Sequence, residues 1–290
     1  MSGGVNQQKI VSSSGSINEF DISAGGNYND KLYFGITIGI PFIRYFESSI
    51  YTETSTDPSI PYFRSLADYQ YLQTTGTGVN FKAGLIYRPV AWFRIGAAIH
   101  TPTYYGNMKD SWNSSMTSVF KDSTQWNRTI YSPLGYYDYQ MATPFRAIGS
   151  LAFTIGNYGL ISAEYEYVNY NQARFYSGDT SNFSSVNSEI KSSYTSPVNV
   201  RFGTEWRIDH FRVRGGFGYY GTPYKSGSST GEQFVISGGI GYRAKYWFFD
   251  AGYSWTQMKS DYYFYDPTLV NPSHNTLYSN NIFATFGVRF

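Results

Sequence analysis

The chain has 290 residues, carries a net charge of +2 from 22 basic and 20 acidic side chains, and is 14% charged and 20% aromatic. An ordinary soluble domain is about 25% charged and disordered chains are poor in aromatics, so disorder is excluded, and no apolar run approaches the roughly 20 residues of a membrane-spanning helix. The small net charge, without clusters of Lys and Arg, excludes a nucleic-acid protein, and zero cysteines exclude disulfide frameworks, thiol catalysis and thiolate zinc sites.

Met1 to Gln8 is polar and leads into a Ser-rich run, without the pattern of a signal peptide. Residues 1–15 read as a polar N-terminal segment and 16–290 as a single domain. Strict alternation then sets in. Phe20, Ile22 and Ala24 oppose Glu19 and Asp21, and Leu32 to Ile40 alternate with Tyr33, Thr37 and Gly39. Val79 to Tyr87 oppose Asn80, Lys82 and Arg88; Phe93 to Ile99 oppose Arg94 and His100; Phe145 to Ile155 oppose Arg146, Ser150 and Thr154. Further along, Ile161 to Tyr167 oppose Ser162, Glu164 and Glu166, and Val198 to Ile208 oppose Arg201, Glu205 and Arg207. The last four are Phe211 to Tyr219 against Arg212 and Arg214, Phe234 to Tyr242 against glycines and Arg243, Trp247 to Trp255 against Asp250, and Ile282 to Phe290 against Arg289. A period of two marks strands, and eleven are expected.

Tight turns near residues 28–30, 89–91, 156–158, 209–210 and 244–246 alternate with long polar loops over 47–64, 106–138, 170–195, 221–231 and 260–280. One bare end and one elaborated end describe a transmembrane antiparallel β-barrel, with short periplasmic turns and long extracellular loops. A soluble sandwich or lipocalin-like barrel would turn its apolar face inward and carry Lys and Glu outside. Here such residues are scarce, and aromatics flank the apolar face (Trp92, Tyr167, Trp206, Tyr242, Trp247, Trp255), as interfacial girdles do. This places the protein in a Gram-negative outer membrane, with outer-membrane lipid as its surroundings and C-terminal Phe290 as the mark read by the barrel-assembly machinery. An odd strand count leaves the first strand descending from outside, so an N-terminal portion with an odd number of strands is expected to be missing, unless segment 65–88 splits into two strands.

The three histidines, His100, His210 and His274, lie on separate elements, so neither a metal site nor a catalytic set is expected, and no cofactor. Gly216 to Gly221 matches a dinucleotide fingerprint only literally, because no helix follows. The lumen-facing charges carry more information: a mixed middle zone with Arg146, Glu164, Glu166 and Arg201, beside His100, and a basic belt at the short-turn mouth with Arg88, Arg94, Arg207, Arg212, Arg214, Arg243 and Arg289, partly offset by Glu205 and Asp250. Such charges either pair across strands and fill the lumen or bias it toward anions and ligand carboxylates. In loop 106–138, Met108, Trp112, Met116 and Phe120 recur at helical spacing, with Trp126 following. They predict an amphipathic helix of about 14 residues whose apolar stripe either packs onto the barrel rim or receives a hydrophobic solute.

Three runs carry a family resemblance: Asn29-Asp-Lys-Leu-Tyr-Phe-Gly-Ile-Thr-Ile-Gly-Ile-Pro41, Gly76-Thr-Gly-Val-Asn-Phe-Lys-Ala-Gly-Leu-Ile-Tyr-Arg-Pro89 and Phe93-Arg-Ile-Gly-Ala-Ala-Ile-His-Thr-Pro-Thr-Tyr-Tyr105. The chain resembles the FadL-like outer-membrane transporters of long-chain fatty acids and other hydrophobic compounds, in the style of Bacteroidetes members. The resemblance implies a barrel of fourteen strands closed by an N-terminal hatch, of which this chain supplies the last eleven, so that hatch, first strands and the family's lateral exit lie upstream of Met1. It implies that loops 47–64 and 106–138 form the outer capture groove. A secretion-system accessory barrel that holds a protein partner and a general diffusion porin are the alternative functions.

Overall fold

The computed structural model describes residues 4–57, 60–121, 124–177, 183–225, 230–263 and 269–289. They form one antiparallel sheet of fifteen strands: β1 (Val5–Tyr28), β2 (Leu32–Ser55), β3 (Phe63–Val90), β4 (Phe93–His100), β5 (Tyr104–Phe120), β6 (Arg128–Tyr131), β7 (Gly135–Ala142), β8 (Arg146–Ile155), β9 (Gly159–Val168), β10 (Arg174–Tyr176), β11 (Val198–Ile208), β12 (Phe211–Tyr220), β13 (Gln233–Arg243), β14 (Trp247–Tyr262) and β15 (Ser273–Val288). A single α-helix, α1 (Ser184–Ser193), lies among the described residues. No helix is long and apolar enough to cross a membrane, so any crossing is made by strands.

The fifteen strands trace the eleven expected alternating runs. Three runs are interrupted, so that β4 continues as β5, β6 and β7 as β8, and β9 as β10. The interruptions, at residues 101–103, 143–145 and 169–173, lie side by side on neighbouring strands, and two carry prolines (Pro102, Pro144). Proline donates no ladder hydrogen bond, and threonine hydroxyls replace what is lost. Phe81 donates its N–H to Thr101 Oγ1 at 2.9 Å and Thr103 donates to Thr143 Oγ1 at 2.8 Å. At this line the sheet forks. Above it β3 pairs with β5, β5 with β7 and β7 with β10; below it β3 pairs with β4, and the wall runs on through β8, β9 and β11 to β15.

Register fixes which residues face inward. Lys82 opposes His100, His100 opposes Arg146, and Arg201 opposes Glu164, so the polar members of every alternating run share one face. The other face exposes Phe34, Ile36, Leu85, Phe202, Ile240 and Phe286, an apolar surface suited to lipid. The tight turns stand where alternation breaks. Asn29, Asp30, Gly156 and Asp209 take left-handed φ values of 53, 53, 50 and 49°, which Gly, Asn and Asp tolerate best.

Three readings of the sequence are corrected. Three of the long loops, 47–64, 106–138 and 260–280, are largely strand among the described residues: β2 continues to Ser55, β3 begins at Phe63, β14 runs to Tyr262 and β15 begins at Ser273. The polar N-terminal segment is strand from Val5, paired with β2 up to Ser55. Both follow one cause, because alternation of polar with polar residues leaves no signal although the backbone ladder continues. The expected helix over Met108–Phe120 is β5. Four is a multiple of two as well as about one helical turn, so the same spacing aligns residues on one face of a strand, and the intervening Asn, Ser, Thr and Val residues are poor helix formers. Leu72 opposes Trp112 on β3, and Gly135 opposes it on β7.

Candidate functional site

The lower lumen is a set of cross-strand ion pairs. Glu19 accepts from Lys82 at 2.6 Å and from the amide of buried Asn80 at 2.6 Å, and Asp21 accepts from Lys82 at 3.4 Å. Arg201 reaches Glu164 on its neighbour β9 and Glu166 at 3.0 Å, while Arg146 approaches Glu166 from β8 at 3.6 Å. Nearer the short turns, Arg214 lies 2.8 Å from Glu205 and 2.6 Å from Asp250. Arg243 shares Asp250 at 2.9 Å, and Arg207 lies 3.4 Å from Glu205. Arg212 donates to the carbonyls of Asp209 and Phe211 in its own turn, and Arg289 lies over the Phe248 ring. His100 stands between Lys82 and Arg146 in register. Part of the belt is therefore paired: Arg207 with Glu205 on its own strand, Arg214 with Glu205 and Asp250, and Arg243 with Asp250.

Above the fork the lumenal face gains apolar side chains among its polar ones. A cavity of about 760 Å³ is lined by Ile17, Ile43, Leu72, Met108, Met141 and Phe175 among others. Beside it Tyr137, Tyr139, Phe175 and Phe183 form a ring cluster, with centroids 5.6–6.5 Å apart. Tyr139 donates to Asp110 at 3.4 Å. α1 is pinned to the free edge of β10 by Asn187, whose amide accepts the Phe175 N–H and donates to its carbonyl, both at 2.9 Å. A side-chain amide here substitutes for a neighbouring strand.

α1 walls a second cavity of about 930 Å³ at the mouth, lined by Tyr170, Val186, Ile190, Tyr194, Tyr224 and Tyr263, among others. Both cavities touch Met141 and Phe175, so these two side chains join the mouth to the lumen. Tyr194 and Tyr224 close one side, with rings 4.9 Å apart and hydroxyls at 3.5 Å. The bond to Tyr224, with burial, pushes the Tyr194 phenol up to about 12, which leaves it neutral at physiological pH.

Of the five residues of the expected loop stripe, Met108 alone lines either cavity. Trp112 packs its indole over Gly135, on the neighbouring strand; Met116 lies further out on β5, and Phe120 ends that strand with its N–H bonded to Asn127. Trp126 sits in a separate exposed turn. The stripe is a strand face and does not form a groove. What sequence reading missed is segment 170–195, where Phe183, Val186 and Ile190 also recur at helical spacing and do form a helix. Phe290 lies outside the described residues.

No family model matches this sequence, and no curated protein matches it. Solved structures do match its fold. The Ralstonia pickettii toluene transporter TbuX superposes with a TM-score of 0.60 at 16% identity, over 95% of this chain and 68% of that one. The P. putida toluene transporter TodX gives 0.53 at 9% identity, over 100% and 91%. A Pseudomonas aeruginosa FadL homologue gives 0.50 at 11%, over 92% and 77%. The chain has the fold of these barrels.

Proposed function

We propose that this protein conducts hydrophobic small molecules across the outer membrane of a Gram-negative bacterium, in the manner of the FadL-like transporters it resembles. One observation carries the reading: the mouth cavity and the lumenal cavity, each lined mainly by apolar and aromatic side chains, meet at Met141 and Phe175. Cavities of 300–1,000 Å³ with few polar groups suit small apolar ligands. Outer-membrane lipid faces the apolar outer surface, and the barrel-assembly machinery reads the C-terminus.

The lumenal acids Glu19, Glu164, Glu166, Glu205 and Asp250 are each held by a lysine or arginine, which argues against a pore lined by free acidic charges. The reading is tested by flux of an uncharged fluorescent hydrophobe into liposomes carrying the protein. Met141→Ala with Phe175→Ala is expected to lower flux about fivefold, the scale of losing one or two apolar contacts. Wild-type flux in that variant would remove the path.

A further inference from the structure

The mouth cavity also has a charge character. Among its described lining residues the carboxyl-bearing side chains are Glu189 and Asp261, and no Lys or Arg is among them. Five aromatic rings share the wall: Tyr170, Phe175, Tyr194, Tyr224 and Tyr263. Two of the basic groups close by, Lys225 and Arg174, are turned to backbone carbonyls, and a third, His274, is paired with one of the two carboxylates. Lys225 Nζ donates to the Lys191 carbonyl at 2.9 Å, and Arg174 donates to the carbonyls of Asn171 and Ala173 at 2.7 Å. His274 lies 2.7 Å from the Asp261 carboxylate. Deeper in, Arg201 is engaged by two glutamates and Arg214 by Glu205 and Asp250.

We propose that the mouth cavity selects hydrophobic solutes whose polar end is an amine or other cation, and disfavours those that end in a carboxylate. Aromatic faces attract cations through the ring quadrupole. Carboxylates add attraction to a cation and repulsion to an anion, and the repulsive part supplies discrimination. The inference rests on the transport reading above and names its substrate class.

The test uses full-length protein in lipid nanodiscs and three probes with one ring and one chain length: phenylpropylammonium, phenylpropanol and phenylpropanoate. Calorimetry at neutral pH is expected to show the ammonium binding about tenfold more tightly than the carboxylate, with the alcohol between them. In Glu189→Gln with Asp261→Asn the ratio should fall to about twofold, and Glu189→Gln alone should fall between. A carboxylate that binds as tightly as the amine overturns the inference, as does a ratio that both substitutions leave unchanged. If none of the three binds, alcohol included, the transport reading itself fails, a result distinct from a carboxylate preference.

Discussion

Glu166 shows at single-residue scale how a charge survives inside this wall. It is only 4% exposed, and it receives Arg201 at 3.0 Å, Arg146 at 3.6 Å and the Asn199 amide at 3.1 Å. Arg201 also holds Glu164 and lies against the Tyr220 ring. Removing the shared guanidinium leaves Glu164 without its cation and buried Glu166 with only the longer Arg146 contact and the Asn199 amide, which costs more than losing an exposed pair. Arg201→Met should therefore destabilise the barrel by about 1–3 kcal/mol, read as a lower temperature for loss of the folded band on unboiled gels. Arg212 is the contrast, since its partners are carbonyls of its own turn; Arg212→Ala should leave that temperature within the effect of about 0.5 kcal/mol typical of surface changes. Equal behaviour of the two variants would contradict the ion-pair account.

Among the elements, β5 decides how the mouth is built. As a helix it would have lain over the opening; as a strand it extends the wall and passes its register to β7, β10 and finally α1. The absence of native cysteine makes this directly testable. Leu72 and Trp112 are cross-strand partners, and side chains directly opposite on one face have Cβ atoms about 5 Å apart. Cysteines at these two positions should cross-link efficiently under mild oxidation, while Leu72 paired with Met116 should not. Cross-linking of the second pair but not the first would restore the helical reading.

At the scale of the molecule, all tight turns gather at one end and α1 with the mouth cavity at the other, the asymmetry of an outer-membrane barrel. β1 and β15 end the main wall of the forked sheet, yet the sheet curls enough for Lys9 Nζ to reach Tyr262 Oη at 2.8 Å. Unpaired strand edges are not tolerated in hydrocarbon, so the approach of β1 to the far end of the sheet is part of what makes a membrane-embedded wall feasible. Orientation gives the prediction at this scale. A cysteine at Ser185 on α1 should react with an impermeant maleimide on intact cells, and one at Asn157 in a tight turn should react only once the outer membrane is opened. The reverse pattern would invert the protein in the membrane.

Alternation marked the eleven runs and gave a face to the charges within them, because a period of two commits each side chain to one side or the other; the short-long order of the connections, the scarce outward charge and the aromatic girdles added the fold class. Beyond the apolar band that signal vanishes, and the outer parts of β2, β14 and β15 carry no pattern that separates strand from loop. Spacing of four likewise could not separate strand from helix at Met108 to Phe120, where only pairing with β3 and β7 decides. The balance of the arginines, the fork at Pro102 and Pro144 and the junction of two cavities at Met141 and Phe175 arise from residues distant in sequence. Register and curvature bring them together, and no local pattern encodes either.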